Sequence, residues 1–181
     1  QAAFIAAGGY PYTISAPGSY VLTSNLTATA GLGSSAIDVN ADDVEINLNG
    51  FTIVASGSVG AGISNGAFPV SSGTTVRNGV LKGFGVGIAG GKNIKLIDLS
   101  ISGGNQGVVG VSDCLIRDSQ IFENAADGIS VAFNCKIENN VIADHGGYGI
   151  ASCFGCEVSH NKIIRNGVGI AGSIVGLNAH E

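Results

Sequence analysis

Apolar and polar residues alternate near residue 130, and this alternation predicts strands. From residue 129 to residue 138, the odd-numbered positions hold large apolar residues or cysteine, and the even-numbered positions hold polar or small ones. A period of two places successive side chains on opposite faces of a strand, so one set is expected to point inward. That set is Ile129, Val131, Phe133, Cys135 and Ile137. A bend is predicted at Asn139-Asn140, then a short strand over residues 141–143 and a turn at Gly146-Gly147.

The pattern recurs every 20 to 21 residues in the second half of the chain. Each repeat begins with a glycine and an apolar residue, at Gly87-Ile88, Gly107-Val108, Gly128-Ile129, Gly149-Ile150 and Gly169-Ile170. Seven positions after each of the first four glycines stands a residue expected in the core, which predicts a ladder of Ile94, Cys114, Cys135 and Cys156. A fixed period of this size is typical of a solenoid, in which one repeat forms one coil.

These repeats predict an all-β fold, a single-stranded parallel β-helix of about seven coils with three short strands each. Residues 34–181 are assigned to the helix, and residues 1–33 to an N-terminal cap with the first strands, because terminal repeats of a solenoid differ from the rest. The two parts are expected to form one continuous domain. No equivalent cap is apparent at the C-terminal end, and an open strand edge favours association.

Composition narrows the range of partners. Only 12% of the 181 residues are charged, whereas 30 are glycine, which fits a tightly wound β structure. The net charge is −5 and the 8 Lys and Arg residues are scattered singly, which argues against nucleic acid as a partner. No apolar run approaches the ~18 residues of a membrane span. The chain begins with Gln1, so we expect a processed piece, with signal-peptide removal as one explanation.

The four cysteines are interpreted as free buried thiols. Three of them share one repeat position, and side chains stacked in register point the same way instead of toward each other. A metal site is the alternative, but it requires converging ligands, which a straight ladder does not supply. Neither a metal nor a cofactor is therefore predicted.

Three features carry a resemblance to a known family. They are the repeated coils over residues 87–170, the NGFTI run at Asn49–Ile53 and the asparagines Asn140 and Asn161 at one bend. The chain resembles the right-handed parallel β-helix proteins of the pectate-lyase-like superfamily, in which bend asparagines form ladders. The run YTISAPGSYVLTSNL at Tyr12–Leu26 resembles the first coils of bacterial β-helix repeat proteins. The resemblance implies a secreted or cell-surface bacterial protein, but not an activity, because one fold hosts many functions.

In the polyuronate lyases of that superfamily, the working groove lies over the outward face of the first strand of each coil. The columns expected there in this chain are small and uncharged: Ala89, Val109, Val111, Ser130, Ala132 and Ala151. This composition argues against a calcium-dependent lyase, because calcium requires several oxygen ligands around one point. A subunit contact through this flat face is the leading functional interpretation. The alternatives are a surface of a stable coil without a binding role and a glycan-binding surface.

A second candidate site lies at the turn after the third strand. Glu123, Asp144 and Arg165 are spaced 21 residues apart, and His145 stands in the next column. Carboxylates one coil apart would approach the ~5–5.5 Å separation of a retaining glycosidase pair. His145 would serve as an acid or base near neutral pH. The alternative is a stacked ion pair on a solvated turn.

Two functions follow from these patterns. The first is a non-catalytic extracellular or surface module that self-associates, through the small-residue face or the open C-terminal end, and contacts polysaccharide. The alternative is a carbohydrate-active enzyme, a polysaccharide lyase, hydrolase or epimerase, that acts through Glu123, Asp144, His145 and Arg165. The empty groove favours the first.

Overall fold

The computed structural model describes residues 2–4, 11–29, 35–66, 71–172 and 174–178, with residues 2–4 and 174–178 as backbone only. The described part contains strands and turns but no helix, and so no helix long enough to cross a membrane. The strands are β1 (Ala2–Phe4), β2 (Tyr12–Ile14), β3 (Gly18–Leu22), β4 (Leu26–Ala28), β5 (Ser35–Val39), β6 (Val44–Asn47), β7 (Thr52–Ala55), β8 (Ala61–Ser64), β9 (Thr75–Lys82), β10 (Val86–Ala89), β11 (Lys95–Ser102), β12 (Gln106–Val109), β13 (Leu115–Arg117), β14 (Gln120–Phe122), β15 (Ile129–Ser130), β16 (Lys136–Glu138), β17 (Val141–Ala143), β18 (Tyr148–Ala151), β19 (Cys156–Ser159), β20 (Lys162–Ile164), β21 (Val168–Ile170) and β22 (Ile174–Asn178).

The strands wind into a parallel β-helix, as the repeat predicts. The first strands of successive coils form one sheet in the order β2-β5-β8-β10-β12-β15-β18-β21. The second strands form the row β1-β3-β6-β9-β11-β13-β16-β19-β22, and the third strands β4, β7, β14, β17 and β20 join β9 and β11 alongside it. Two coils depart from three separate strands, because β9 and β11 run through the second bend as continuous strands of eight residues.

The register follows the 20- to 21-residue beat of the sequence. Val108 pairs with Ile88 on one side and with Ile129 on the other, and Ile129 pairs in turn with Ile150. All of these side chains are buried. Residues one period apart are therefore direct neighbours in adjacent coils, and the core is a continuous column of stacked apolar residues.

The predicted N-terminal cap is described only in part. Strands β2, β3 and β4 already form a complete coil, because they pair in parallel with β5, β6 and β7. Residues 5–10 and 30–34 lie outside the described residues, and so does the boundary at residue 33. Residues 179–181 also lie outside them, so the open C-terminal end stays a prediction.

Each coil turns at three corners, and from the second coil onward most corners share one device, a residue in the left-handed conformation followed by a residue with a buried side chain. The left-handed residues have φ between 49° and 80°. At the first corner, between the first and second strands, they are Asp43, Gly73, Asn93, Asp113, Asn134 and Gly155. At the second corner they are Asn49, Asn78, Asp98, Asp118, Asn139 and His160. At the third corner they are Gly83, Gly103, Glu123, Asp144 and Arg165. Asn, Asp and Gly dominate because they tolerate this conformation best.

The glycines of the first four Gly-apolar pairs are required by close packing, whereas Gly169 has open space around an added Cβ atom. A Cβ atom on Gly107 would lie 2.3 Å from the carbonyl oxygen of Gly128 and 2.6 Å from Cγ2 of Ile121. A Cβ atom on Gly128 would lie 2.4 Å from Nε2 of His145. The beat of glycines therefore marks the place where the backbone of each coil approaches the next coil and the core.

The structure corrects the prediction that Phe133 points inward. Phe133 is 57% exposed, and Phe154, one coil further on, is 52% exposed. The two rings still stack between adjacent coils, with centroids 6.1 Å apart. The alternation fails because Phe133 lies at the first corner, directly before left-handed Asn134, and not within a strand.

The prediction of free thiols is also wrong. Cys114 is bonded to Cys135 and Cys153 to Cys156, with Cα atoms 4.4 Å and 5.7 Å apart. The ladder of Ile94, Cys114, Cys135 and Cys156 is nevertheless buried and stacked as expected. Cys114 and Cys135 follow the left-handed residues of a corner, so their side chains are not held parallel as in a flat strand.

Candidate functional site

The predicted catalytic column is assembled at the third corner. Glu123, Asp144 and Arg165 all adopt left-handed conformations, with φ of 54°, 60° and 53°. The amide of Glu123 donates to the carbonyl of Ala143, and that of Asp144 to Ile164, at 3.1 Å and 3.2 Å. The three residues therefore stack on successive coils, with their backbones locked in the turn.

Asp144 is occupied by an ion pair. Nε and Nη2 of Arg165 donate to the two carboxylate oxygens of Asp144, at 2.6 Å and 2.7 Å. This bidentate contact with Arg165 lowers the pKa of Asp144 and raises that of Arg165. A carboxyl group held ionised in this way is a poor general acid. Among the described residues, no hydrogen bond or ion pair joins the carboxylate of Glu123 to Asp144, His145 or Arg165.

His145 does not belong to the surface column. Its side chain is 3% exposed, because it follows left-handed Asp144 and turns into the core. Nδ1 accepts a hydrogen bond from the amide of Asn124 at 3.2 Å, and Nε2 lies 3.0 Å from the carbonyl oxygen of Ile121. These partners assign the neutral tautomer with the proton on Nε2. Burial lowers the pKa of His145 and outweighs the opposing effect of Asp144 and Asp127.

His145 is one step of an internal polar ladder. Asn124 Oδ1 accepts from the amide of Gly104 at 3.1 Å, and Asn166 Oδ1 accepts from the amide of His145 at 3.1 Å. Each inward side chain thus accepts from the backbone of the preceding coil. The fold places the four predicted catalytic residues at the same corner of three adjacent coils. They nevertheless divide into a surface ion pair, a separate carboxylate and a core histidine.

The predicted bend residues Asn140 and Asn161 form a similar ladder at the second corner. Asn140 Oδ1 accepts from the amide of Ser119 at 3.0 Å, and Asn161 Oδ1 accepts from the amide of Asn140 at 2.9 Å. Their amide groups donate to the carbonyls of Ile116 and Ile137, at 2.9 Å and 2.7 Å. Ser119 continues the ladder by accepting from the amide of Leu99.

The predicted small-residue face is narrower than expected. Ala89, Val109, Ser130 and Ala151 stack in register along the first sheet. The first three are half-buried, as is Ala132, but Ala151 is buried. Val111 is fully buried, so its assignment to the outward face is wrong. It follows Gly110, whose φ of 72° turns the next side chain inward.

The same face also presents polar side chains that the sequence analysis did not assign to it. Ala89 pairs with Ser64, which pairs with Asp38 one coil earlier. Asp38 is hydrogen-bonded to Ser35. No cluster of three or more His, Cys, Asp or Glu that would hold a metal ion occurs among the described residues. A shallow cleft of about 470 Å³ lies at the turns that precede the first strands, and the glycine-rich turns 57–60, 83–85 and 103–105 line most of it.

A further surface column at the first corner was missed by sequence reasoning. It contains Ser72, Lys92, Ser112, Phe133 and Phe154, one from each of five successive coils. Parallel bridges join Ser72 to Lys92, Lys92 to Ser112 and Phe133 to Phe154. The 21-residue spacing of the two phenylalanines was visible in the sequence, but strand alternation placed them inside.

Comparison with known protein families yields a match over most of the chain. The family model described as a right handed beta helix region matches residues 35–176. No curated protein and no solved structure matches the chain significantly. The matched range spans the parallel coils from β5 into β22 and includes the ladders at all three corners. The chain therefore belongs to the right-handed β-helix family.

Proposed function

We propose that the protein is a non-catalytic binding module that uses the β-helix as a rigid scaffold. The observation that carries this proposal is the engagement of the best proton-transfer candidates in structural contacts. Asp144 is held by two nitrogens of Arg165, and His145 is buried with both ring nitrogens facing backbone groups. Neither side chain is poised to exchange a proton with a bound substrate.

We further propose that the module works outside the cytoplasm, as a secreted or cell-surface protein. Two disulfides lie within a stretch of 43 residues, from Cys114 to Cys156. Disulfides persist in oxidising compartments and are rare in the reducing cytosol. Fractionation of the producing cells, with thiol labelling of each fraction, tests this location.

The absence of catalysis is tested with a panel of polyuronates and neutral glycans. We expect no new reducing ends and no unsaturated products after prolonged incubation with the purified protein. The matched variant is Asp144→Asn, which removes the charge but keeps the size of the side chain. Turnover by the wild type that disappears in a folded Asp144→Asn variant would reverse the proposal in favour of an enzyme.

Self-association is proposed as a second property of the scaffold. Tyr148 and Val168 pair in adjacent strands of the first sheet and are 38% and 47% exposed. They lie on the same sheet as the small-residue face, so an apolar contact between two copies has a surface available. Light scattering is expected to show an oligomer that Val168→Glu dissociates. A monomer at all concentrations would remove this part of the proposal.

A further inference from the structure

The first-corner column of Ser72, Lys92, Ser112, Phe133 and Phe154, termed here the corner column, combines aromatic and polar groups in one line. We propose that it binds a linear, neutral glycan that lies along the helix axis. This inference rests on the proposed function, because it names the ligand class of a non-catalytic module. The column lies beside the small-residue face and is separate from the third-corner cluster.

The aromatic half of the column offers an open stacking surface. Phe133 and Phe154 are both more than half exposed, and their ring planes are inclined by 33°. Sugar rings present apolar C–H faces that pack on aromatic rings, while their hydroxyl groups point to the sides. Two rings on successive coils, 6.1 Å apart, offer stacking surfaces for consecutive sugars of one chain.

The two rings are braced by the disulfides. Phe133 stands two residues before Cys135, whose Sγ lies 3.3 Å from the carbonyl oxygen of Phe133. Phe154 is enclosed by the Cys153–Cys156 bond. The cross-link therefore fixes the backbone that presents each ring. A platform fixed before binding loses less conformational entropy when the ligand arrives.

The polar half supplies hydrogen-bonding groups at the same spacing. Ser112, Lys92 and Ser72 continue the line, with neighbours about 4.8 Å apart as in any parallel sheet. Asn93 donates to Ser72 Oγ at 3.0 Å. Five coils give the column a length of roughly 19 Å, which is enough for several sugar residues. Hydroxyl and ammonium groups in this line can bond the hydroxyls of a glycan that stacks on the rings.

The charges along the column favour a neutral ligand. Lys92 Nζ lies 3.8 Å from Asp113 Oδ2, and Asn134 donates to Asp113 Oδ1 at 3.2 Å. The one lysine of the column therefore already faces a carboxylate. With a net charge of −5 on the whole chain, a polyuronate would meet repulsion and little to offset it.

A second copy of the chain fits the column less well. Two half-exposed phenylalanine rings offer roughly 200 Å² of apolar surface, estimated from the area of such side chains. A stable protein interface buries about 800 Å² on each partner. The remainder of the column is polar and does not enlarge the apolar patch. The surface is therefore large enough for a sugar chain but small for a subunit contact.

Affinity electrophoresis tests the proposal. The intact, oxidised protein is run through gels containing hydroxyethyl cellulose, galactomannan, arabinoxylan or laminarin, with polygalacturonate as the anionic comparison. We expect retardation by at least one neutral polysaccharide. Phe133→Ala and Phe154→Ala should each weaken the affinity about tenfold, and Phe133→Trp should preserve it. The matched control is Val141→Ala, which truncates an exposed apolar side chain outside the column and should leave the affinity unchanged.

The variants should fold, because both rings are exposed, and melting curves verify this. Retardation by none of the neutral polysaccharides, or stronger retardation by polygalacturonate, overturns the inference while leaving the absence of catalysis intact. Retardation that both alanine variants retain moves the binding elsewhere and also overturns it. Light scattering that shows a dimer lost in Phe133→Ala assigns the column to a second copy. Product formation from a bound glycan would instead contradict the proposed function.

Discussion

The second and third corners of the β-helix are built alike, although their sequences look very different. At both, a left-handed residue is followed by an inward side chain that accepts a hydrogen bond from the coil before it. Asn140 at the second corner and His145 at the third each contact the carbonyl of a residue 24 positions earlier. The inward ladder of the second corner looks structural in the sequence because Asn140 and Asn161 are asparagines, whereas the third corner looks catalytic because it contains Glu, Asp, His and Arg.

The hydrogen bonding of the inward side chains is less complete at the third corner than at the second. Asn140 and Asn161 have partners for both their oxygen and their nitrogen. At the third corner, Asn124 is 2% exposed and its Nδ2 has no partner among the described atoms. Charged side chains at a turn are thus weak indicators of catalysis when the conformation of the turn itself selects polar residues.

The largest expected effect is at the second corner. Asn140→Ala leaves the amide of Ser119 and the carbonyl of Ile116 buried without their partners. At about 1–3 kcal/mol for each unsatisfied group, the free energy of unfolding should fall by roughly 4 kcal/mol. Urea unfolding measures the change. The control is Asn139→Gly at the adjacent left-handed position, where little change is expected; equal losses in both variants would show that the ladder is not the cause.

The next effect tests whether His145 really fills the core at the third corner. Gly128→Ala places a Cβ atom 2.4 Å from Nε2 of His145, so the ring or the backbone must move. Overpacking of this kind costs about 2–3 kcal/mol. Gly169→Ala is the matched control, because no atom lies within 4 Å of its added Cβ, and it should leave the melting temperature nearly unchanged. A tolerated Gly128→Ala would place the imidazole elsewhere.

A smaller effect separates the two corners by pH. Burial lowers the pKa of His145 in the folded state, so the unfolded chain binds more protons once the pH falls below about 6.5. The contribution of the buried neutral His145 to the free energy of unfolding is therefore fully present above that pH, and it declines as the pH falls toward the folded-state pKa. His145→Asn should keep the ladder and remove this part of the pH dependence of the melting temperature. The control is His160→Asn, which replaces an exposed histidine. If the pH dependence of the melting temperature were unchanged in His145→Asn, the buried neutral ring would be contradicted.

The smallest effect concerns the candidate catalytic carboxylate. Glu123→Gly removes the backbone strain of a non-glycine residue at φ 54°, which stabilises the folded state. Glycine also raises the conformational entropy of the unfolded chain, so the two effects on the free energy of unfolding nearly cancel. We expect a free energy of unfolding within about 1 kcal/mol of the wild type, with any shift toward greater stability. Binding to the glycan panel should be unaffected. A large loss of stability would reveal a contact of Glu123 that stabilises the third corner.

The coil repeat could be predicted from the sequence because it depends on spacing alone. Gly107 and Gly128 mark positions where successive coils approach closely, and the spacing between these glycines predicts the pairing of Val108 with Ile129. What the sequence could not supply is the direction of side chains at the corners. Alternation holds within a strand, but a left-handed residue resets it, and this is why Phe133 points outward and His145 inward.

The Cys114–Cys135 disulfide was missed for the same reason. In a flat parallel sheet, Cys114 and Cys135 would point along parallel directions and stay apart. The Cα atoms lie 4.4 Å apart, close to the ordinary spacing of neighbouring strands, but the left-handed conformations of Asp113 and Asn134 change the directions of the two side chains. Spacing shows which residues are neighbours, but only the backbone dihedral angles decide whether those neighbours meet.

The recurring corner device has a consequence for how such a molecule can vary in length. Because successive coils of 20 to 21 residues stack in register, excision of one whole period brings equivalent positions together again. Removing residues 127–147, for example, would join Ala126 to Tyr148, the counterpart of Asp127 one coil later. The coils are thus repeating units, and duplication or loss of one unit would lengthen or shorten the rod while the coils on either side keep their register.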